Sequence, residues 1–295
     1  MCIQEYLSSI LFINASDFFD SIHDREYAYI KGEALSIQAY KKPGQRNVSD
    51  IDILLPRNEL QYFETKLKQN GFVSSVPSRL NRIVLLSSSH QVAPWVRYIE
   101  HLGPMYIDLN FDIFWGEYDG KRADMNLFLC DTKELEIFGC KVKTLSTIKA
   151  MIQLVLHHYK DLNSIILLAS RKKINPSIFK DIYYFVKNNQ EEITVEKLYT
   201  AGLEYEILPF IYYMLYYTRM IYKDKILDEY IANFRTPEGE ELLQYYGLNK
   251  SEWHKWKVDF YTRLNSENIY NIIKEDLTER DREKILFNKK VFIGD

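Results

Sequence analysis

Two aspartates that alternate with isoleucines, Asp50 and Asp52, form the segment of the sequence with the clearest chemical potential. In an extended strand alternate residues face the same side, so both carboxylates project together while Ile51 and Ile53 face the opposite side. Because the two carboxylates lie about 6.6 Å apart along the strand, they can converge on one hard cation. The segment therefore predicts a divalent-metal site, although the solvated face of an edge strand produces the same pattern.

A third carboxylate lies in a second alternating run, Tyr106 to Asn110, which contains Asp108. Asp112 would share the face of Asp108 if the strand continued, so the sequence leaves both as candidates. A carboxylate from a neighbouring strand would complete a site for two ions about 3.5–4 Å apart, one of which lowers the pKa of a hydroxyl nucleophile while the other binds a triphosphate. Mg²⁺ is expected because it prefers oxygen ligands and shares its coordination shell with phosphates, and Mn²⁺ is the alternative.

A glycine-containing turn, Lys31-Gly32-Glu33, precedes both acidic segments. The apolar residues before it predict a strand, and the residues after it, as far as Tyr40, predict a helix. Glycine lets backbone N–H groups come close to a phosphate, and the N-terminus of the following helix adds a positive partial charge. A glycine in such a place is more often only a turn, so the phosphate site is predicted from its combination with the aspartates.

The elements that would hold these residues predict an α+β fold in two parts. Residues 1–145 should form a small mixed sheet flanked by helices, and residues 146–295 an all-helical domain that closes the cleft and selects the acceptor. Hydrophobic periodicity and turn residues predict helices over 5–25, 59–70, 146–160 and 250–263, and strands over 27–30, 49–55, 82–87, 105–114 and 127–129.

Composition and charge limit the classes of function. The 295 residues are 46% apolar, and the net charge of −3 comes from well-mixed acidic and basic residues. A nucleic-acid-binding protein usually carries a basic stripe, so long nucleic acid is disfavoured as a substrate. The longest apolar runs fall short of the roughly 20 residues that span a bilayer, and three cysteines without a CxxC pair suit a reducing compartment. We therefore expect a cytoplasmic protein that does not insert into membranes.

Three short motifs carry a resemblance to a known superfamily. They are Lys31-Gly32-x-Ala34-Leu35, Arg46-x-x-x-Asp50-Ile51-Asp52-Ile53-Leu54 and Ile107-Asp108-Leu109. In this pattern the chain resembles the polymerase-beta-like nucleotidyltransferases, and within them a bacterial family of uncharacterised nucleotidyltransferases, some of which accompany gene clusters for peptide natural products. The resemblance covers roughly residues 25–220 and includes the segments 156–160 and 180–183 of the helical part.

The resemblance implies a metal-dependent enzyme and assigns roles to its site residues. The catalytic and metal-binding residues would be Asp50, Asp52 and Asp108, and the residues that bind the nucleotide would be Lys31, Gly32, Glu33 and Arg46. Glu33 departs from the superfamily pattern, which usually has Ser or Gly there, and Asn110 stands where the similar family often has His. An acidic side chain beside phosphates is unfavourable unless it points away or binds a metal.

Further candidates for substrate contact, His157, His158 and Lys160, lie in the predicted helix 146–160, and the resemblance extends to them. Histidines in an apolar helix are more often packed or capped side chains, and this pair does not have the spacing of the HExxH zinc motif. Trp253 and Trp256 could stack a nucleobase or another flat substrate, although at helical spacing they are more often core residues.

The expected reaction is transfer of a nucleoside monophosphate, with AMP from ATP as the first choice, to an acceptor hydroxyl, carboxyl or phosphate, with release of pyrophosphate. The near-neutral charge favours a small molecule, a peptide or a protein as the acceptor. Two alternatives stay open at this point. One is a catalytically inactive nucleotide-binding module, which Glu33 would favour, and the other is a toxin-like transferase acting on tRNA or protein.

Overall fold

The computed structural model describes residues 3–75, 78–116 and 120–293, and these form two compact units. The first unit contains the described residues up to 150, and the second contains residues 151–293. The boundary between the units falls inside one helix.

The first unit mixes helices and strands. Its helices are α1 (Ile3–Ile22), α2 (Gly32–Tyr40), α3 (Leu60–Gln69), α4 (Arg79–Ser88) and α5 (Met125–Leu129). Its strands are β1 (Ala28–Ile30), β2 (Asp50–Leu54), β3 (Val73–Ser74), β4 (Trp95–Ile99), β5 (Gly103–Asn110), β6 (Lys133–Ile137) and β7 (Cys140–Thr144). Helix α6 (Thr147–Asn163) begins in this unit.

The second unit is almost entirely helical. After α6, its helices are α7 (Ile165–Ser170), α8 (Ser177–Lys187), α9 (Val195–Glu204), α10 (Leu208–Tyr222), α11 (Ile226–Phe234), α12 (Pro237–Leu242), α13 (Phe260–Leu264), α14 (Tyr270–Ile273) and α15 (Glu279–Ile293). Strands β8 (Tyr245–Tyr246) and β9 (His254–Lys255) form a short antiparallel ladder. Across the described ranges, no helix is both long and apolar enough to cross a bilayer.

The main sheet has five strands in the order β1-β2-β5-β4-β3. Strands β2 and β5 are parallel, and every other neighbouring pair in this sheet is antiparallel. Strands β6 and β7 form a separate antiparallel hairpin. The predicted α+β class with a small mixed sheet is therefore confirmed, and the mostly helical second unit adds the small β8–β9 ladder.

One face of the main sheet is buried in the core of the first unit. Ile51 and Ile53 of β2 and Ile107 of β5 are fully buried there, in one cluster with Phe12 and Phe19 of α1. Complete burial of an aliphatic side chain contributes roughly 1.5–3 kcal/mol. Because a slip of one residue would move these isoleucines to the other face, the register of β2 and β5 is strongly specified.

Two segments predicted as strands are helices. The run 82–87 lies in α4, where Ser78 caps the helix by accepting hydrogen bonds from two backbone N–H groups of the first turn. Likewise, the run 127–129 lies in α5, which the side chain of Asp124 caps in the same way. Both predictions are wrong because the periodicity of a short apolar run does not distinguish a strand from a helix. The capping residue upstream of each run is the signal that does distinguish them.

The helix predicted over 250–263 is also wrong. A 3₁₀ turn at Lys250–Glu252, strand β9 and the short α13 replace it, and β9 pairs back onto β8. Gly247 has a φ of +108°, and a Cβ there would lie 2.3 Å from a backbone oxygen at the end of the 3₁₀ turn. Only glycine allows this close approach. The chain therefore reverses its direction here, whereas the helical spacing of Trp253 and Trp256 predicted one continuous helix.

Replacing Ser78 by Ala should lower the free energy of unfolding by about 1 kcal/mol, because two backbone N–H groups at the start of α4 lose their acceptor. Chemical denaturation followed by circular dichroism measures the change. Ser87→Ala is the matched control, because Ser87 is exposed near the end of the same helix and alanine favours helix. An equal loss in both variants would contradict the assigned role of the cap.

Candidate active site

The pairing of β2 with β5 brings three aspartates to one face of the main sheet. The strands run parallel, with Asp52 opposite Asp108 and Asp50 opposite Tyr106. Neighbouring strands lie about 4.8 Å apart, and residues two positions apart on a strand lie about 6.6 Å apart. Since side chains alternate, the three carboxylates project from the face opposite the isoleucine core. The structure therefore brings together the three residues that the sequence predicts as metal ligands.

Asp52 lies at the centre of this group, and its side chain is only 8% exposed. The Nζ of Lys31 donates a hydrogen bond of 2.7 Å to its Oδ1, and the Nδ2 of Asn110 approaches the same oxygen at 3.3 Å. The ammonium and the amide thus orient the central carboxylate. Sequence reasoning noted Asn110 only as a departure from the family pattern, although its place two residues after Asp108 on the same strand face was the available signal.

On β2, the single positive charge of Lys31 does not balance the negative charges of Asp50 and Asp52. Burial raises the pKa of Asp50, and the negative charge of Asp52 raises it further, while Lys31 acts in the opposite direction. The hydroxyl of Ser49 donates a hydrogen bond of 3.2 Å to Asp50. A divalent cation would offset the repulsion between the carboxylates, and hard cations prefer oxygen ligands. The all-oxygen donor set formed with Asp108 therefore fits Mg²⁺.

The turn before α2 has a backbone conformation that favours glycine. Lys31 has a φ of +59° and Gly32 a φ of +40°, both in the left-handed region. A Cβ on Gly32 would lie 2.2 Å from the hydroxyl oxygen of Tyr29. That hydroxyl accepts a hydrogen bond of 2.8 Å from the backbone N–H of Glu33, so Tyr29, which the sequence analysis did not identify, supports the turn. The N-terminus of α2, with its positive partial charge, begins at this point.

Glu33 points into the protein at this turn. Its side chain is fully buried, and one carboxylate oxygen accepts a hydrogen bond of 2.9 Å from the N–H of Gly44 in the loop after α2. Ser36 accepts a second hydrogen bond from that loop, at 2.8 Å from the N–H of Gln45. Glu33 thus positions the loop that leads through the half-buried Arg46 to β2. The side chain of Glu33 therefore supports this loop, and the nucleotide contact predicted for Glu33 stays a prediction.

Asp112, the alternative candidate for the third carboxylate, forms its contacts in the loop after β5. Strand β5 ends at Asn110, so the alternation that Asp108 follows does not reach it. One oxygen of Asp112 accepts a hydrogen bond of 2.8 Å from the N–H of Phe114, and Arg122 lies 3.7 Å from the other oxygen. Burial raises the pKa of Asp112. Asp112 therefore shapes the loop after β5, and Asp108 is the third carboxylate of the sheet face.

The histidines predicted for substrate contact lie in a cluster of the second unit. A nitrogen of His157 is 3.5 Å from an oxygen of Asp161, and a nitrogen of the buried His158 is 3.5 Å from the buried Asp181. Arg171 contacts Asp161 at 3.1 Å. Among the described residues, possible ligand atoms of His157, His158 and Asp161 lie within 4.8 Å of one another. This imidazole-rich set suits Mg²⁺ less well than the three carboxylates of the first unit do.

The remaining predicted contacts lie in the same unit. Lys160 is half-buried on α6. Trp253 stacks on Tyr245 with ring centroids 5.2 Å apart, and the ring of Trp256 lies 4.5 Å from that of Tyr246. Both tryptophans therefore pack on the first strand of the β8–β9 ladder.

Comparisons with known proteins identify a family and show similarity to a solved structure. A family model described as "uncharacterised nucleotidyltransferase" matches residues 21–223, a range that includes every predicted site residue from Lys31 to Lys160. The crystal structure of an antigenic nucleotidyltransferase-like protein from Paracoccidioides brasiliensis is similar at 15% sequence identity and a TM-score of 0.44, covering 77% of this chain and 94% of that protein. No curated protein matches the sequence.

Gly32→Ala should lower the free energy of unfolding by about 1–3 kcal/mol, because the new methyl group meets the Tyr29 hydroxyl and alanine resists a positive φ. Gly139→Ala isolates the cost of positive φ, because Gly139 has a φ of +83° and no atom within 4 Å of the added Cβ. Tyr29→Phe removes the obstructing hydroxyl, so Gly32→Ala should cost less in that background. Strictly additive losses in chemical denaturation would contradict this account.

Proposed function

The chain belongs to the uncharacterised nucleotidyltransferase family, and we propose that it transfers a nucleoside monophosphate from a nucleoside triphosphate with the help of a divalent metal. The observation that carries the proposal is the parallel register of β2 and β5, which sets Asp50, Asp52 and Asp108 on one face of the sheet. ATP is the proposed donor. The proposed acceptor is a small molecule, a peptide or a protein, because the chain is near neutral in charge.

In the proposed reaction, an oxygen of the acceptor forms a bond to the α-phosphorus while the bond from that phosphorus to pyrophosphate breaks. Asp50, Asp52 and Asp108 would hold two Mg²⁺ ions, which supply positive charge against the triphosphate and the acceptor oxygen. Asn110 holds Asp52 in its orientation, and Ser49 bonds to Asp50. The carboxylates are thus prepared to bind cations before a substrate arrives.

The phosphate-binding part of the proposal rests on the turn at Gly32. A triphosphate beside the N-terminus of α2 would meet a positive partial charge there. The ammonium group of Lys31 stands between this turn and the carboxylates, 2.7 Å from Asp52. We propose that it contacts a phosphate oxygen when a divalent cation takes its place beside Asp52. Arg46, in the loop that Glu33 holds, is a second proposed phosphate contact.

Burial of Glu33 bears on the choice between an active enzyme and an inactive binding module. The inactive alternative drew its support from an acidic side chain beside the phosphates. In the structure that carboxylate accepts a hydrogen bond from Gly44 inside the protein, which supports the proposal of an active enzyme. Residues 146–295 are expected to select the acceptor, with His157, His158 and Lys160 as possible substrate contacts, and this stays a prediction. The cytoplasmic location also stays a prediction.

Asp50→Asn should weaken Mg²⁺-dependent triphosphate binding by at least about tenfold, because one negative charge is lost next to the cation. Calorimetric titration with ATP, GTP, CTP and UTP, with and without Mg²⁺, measures the effect and identifies the donor. Asp108→Asn should reduce pyrophosphate release more than it reduces triphosphate binding. Asp17→Asn is the control, because Asp17 is an exposed residue of α1. Binding of wild-type strength in Asp50→Asn would contradict the site assignment.

Lys31→Met should increase the affinity for Mn²⁺ in the absence of nucleotide by roughly tenfold, because it removes a positive charge from the carboxylate cluster. The same change should weaken triphosphate binding, because a phosphate contact is lost. Electron paramagnetic resonance of free Mn²⁺ and calorimetry of the triphosphate measure the two effects. Lys42→Gln, at an exposed lysine in the loop after α2, should change neither. Parallel losses of both affinities would refute the exchange proposed for Lys31.

A further inference from the structure

Arg263, in α13 of the second unit, is a buried cation without an acidic partner. It is 4% exposed, and its side chain donates a hydrogen bond of 2.8 Å to the hydroxyl of Tyr217. Within the part of the chain that the structure describes, no carboxylate pairs with it, and its Nε has no acceptor. A buried charge is costly unless it is paired and hydrogen-bonded. Arg263 therefore has a buried charge that no carboxylate balances and an Nε donor without an acceptor.

Aromatic rings hold the Arg263 guanidinium in place. Its Cζ lies 4.3 Å from the ring centroid of Trp256, 5.3 Å from that of Tyr217 and 5.6 Å from that of Phe260. Cation–π contacts stabilise the charge but satisfy none of its N–H donors. Burial raises the pKa of Tyr217, so its hydroxyl stays protonated at neutral pH and supplies no negative charge. The guanidinium is thus rigidly positioned with its charge uncompensated.

Arg263 and these rings line an open pocket of about 320 Å³ within the second unit. Tyr216 and Met220 of α10 contribute apolar surface to its wall. The indole Nε1 of Trp256 has no acceptor among the described residues and adds a second buried donor. The exposed Lys255 adds a second positive charge at the edge. The pocket thus combines apolar walls with donors and positive charge.

The acidic residue of this lining, Asp259, does not neutralise Arg263. Its two oxygens accept hydrogen bonds from the backbone N–H and the hydroxyl of Thr262, at 3.0 and 2.7 Å. The bond from the backbone N–H of Thr262 lowers the pKa of Asp259. Its carboxylate therefore serves as the N-cap of α13, and Arg263 and Lys255 leave the lining with a net positive charge.

We propose that this pocket binds a small carboxylate that carries an apolar or aromatic body. The planar guanidinium of Arg263 matches the two oxygens of a carboxylate, and the indole N–H of Trp256 supplies a further donor. The surrounding rings accept the apolar body. Arg263, Trp256 and Lys255 all lie beyond residue 223, where the family match ends, and the proposal does not depend on the transferase reaction.

The test is a titration of the full-length protein, without nucleotide, with benzoate and with benzamide, which has nearly the same shape and no charge. Tryptophan fluorescence and calorimetry report binding. Benzoate should bind at least about tenfold more tightly than benzamide, because a charge-assisted pair with Arg263 forms only with the carboxylate. Arg263→Gln should remove this preference. Equal binding of the two compounds, or binding of neither, would overturn the proposal.

Two further variants separate the pocket from general effects of charge and folding. Arg280→Gln, at an exposed arginine of α15, should leave the preference for benzoate unchanged. Lys255→Gln, at an exposed position that folding does not require, should weaken benzoate binding by about two- to threefold. If Arg263→Gln does not fold, the outcome rests on Lys255→Gln and on Trp256→Phe, which removes the indole N–H. If Lys255→Gln and Trp256→Phe fold and both bind benzoate as tightly as the unaltered protein, the site is refuted.

Discussion

The candidate active site depends on one constraint, the parallel register of β2 and β5. Burial of Ile51 and Ile107 on one face of the sheet fixes that register, and the same register sets Asp52 opposite Asp108 on the other face. Carboxylates this close repel one another, which raises the free energy of the ligand-free protein. The apolar core therefore holds the three aspartates in an arrangement that is unfavourable by itself, as is common at functional sites.

Lys31 is the internal counter-charge of this arrangement. Its single ammonium group, 2.7 Å from Asp52, cannot balance three carboxylates, which is one reason for proposing a divalent ion there. The same residue stands at the turn where the N-terminus of α2 favours an anion. The proposed site thus places a cation beside the carboxylates and a phosphate beside the turn, within a few residues of each other. Tyr29 hydrogen-bonds to the turn and Glu33 to the loop after α2, and these bonds hold the two parts of the proposed site in place.

Buried charges in the second unit have different kinds of partners from the buried charges in the first unit. In the first unit an ammonium group is paired with carboxylates, whereas Arg263 is held by aromatic rings and one hydroxyl. His158 and Asp181, both buried, lie 3.5 Å apart in the same unit. Such groups cost stability unless they are satisfied, and apolar residues would have packed the helices without that cost. The buried Arg263 is the group on which the proposed carboxylate pocket depends.

By itself, the alternation of Asp50 and Asp52 with isoleucines determined that both carboxylates share a face, because strand periodicity is a local property of the backbone. The short motifs likewise indicated the family and the α+β class. The choice of Asp108 over Asp112 needed the tertiary structure, because it depends on where β5 ends and which residue pairs with β2. The inward direction of Glu33 was also decided there. Pairing and burial join residues far apart in sequence, and local periodicity carries no information about them.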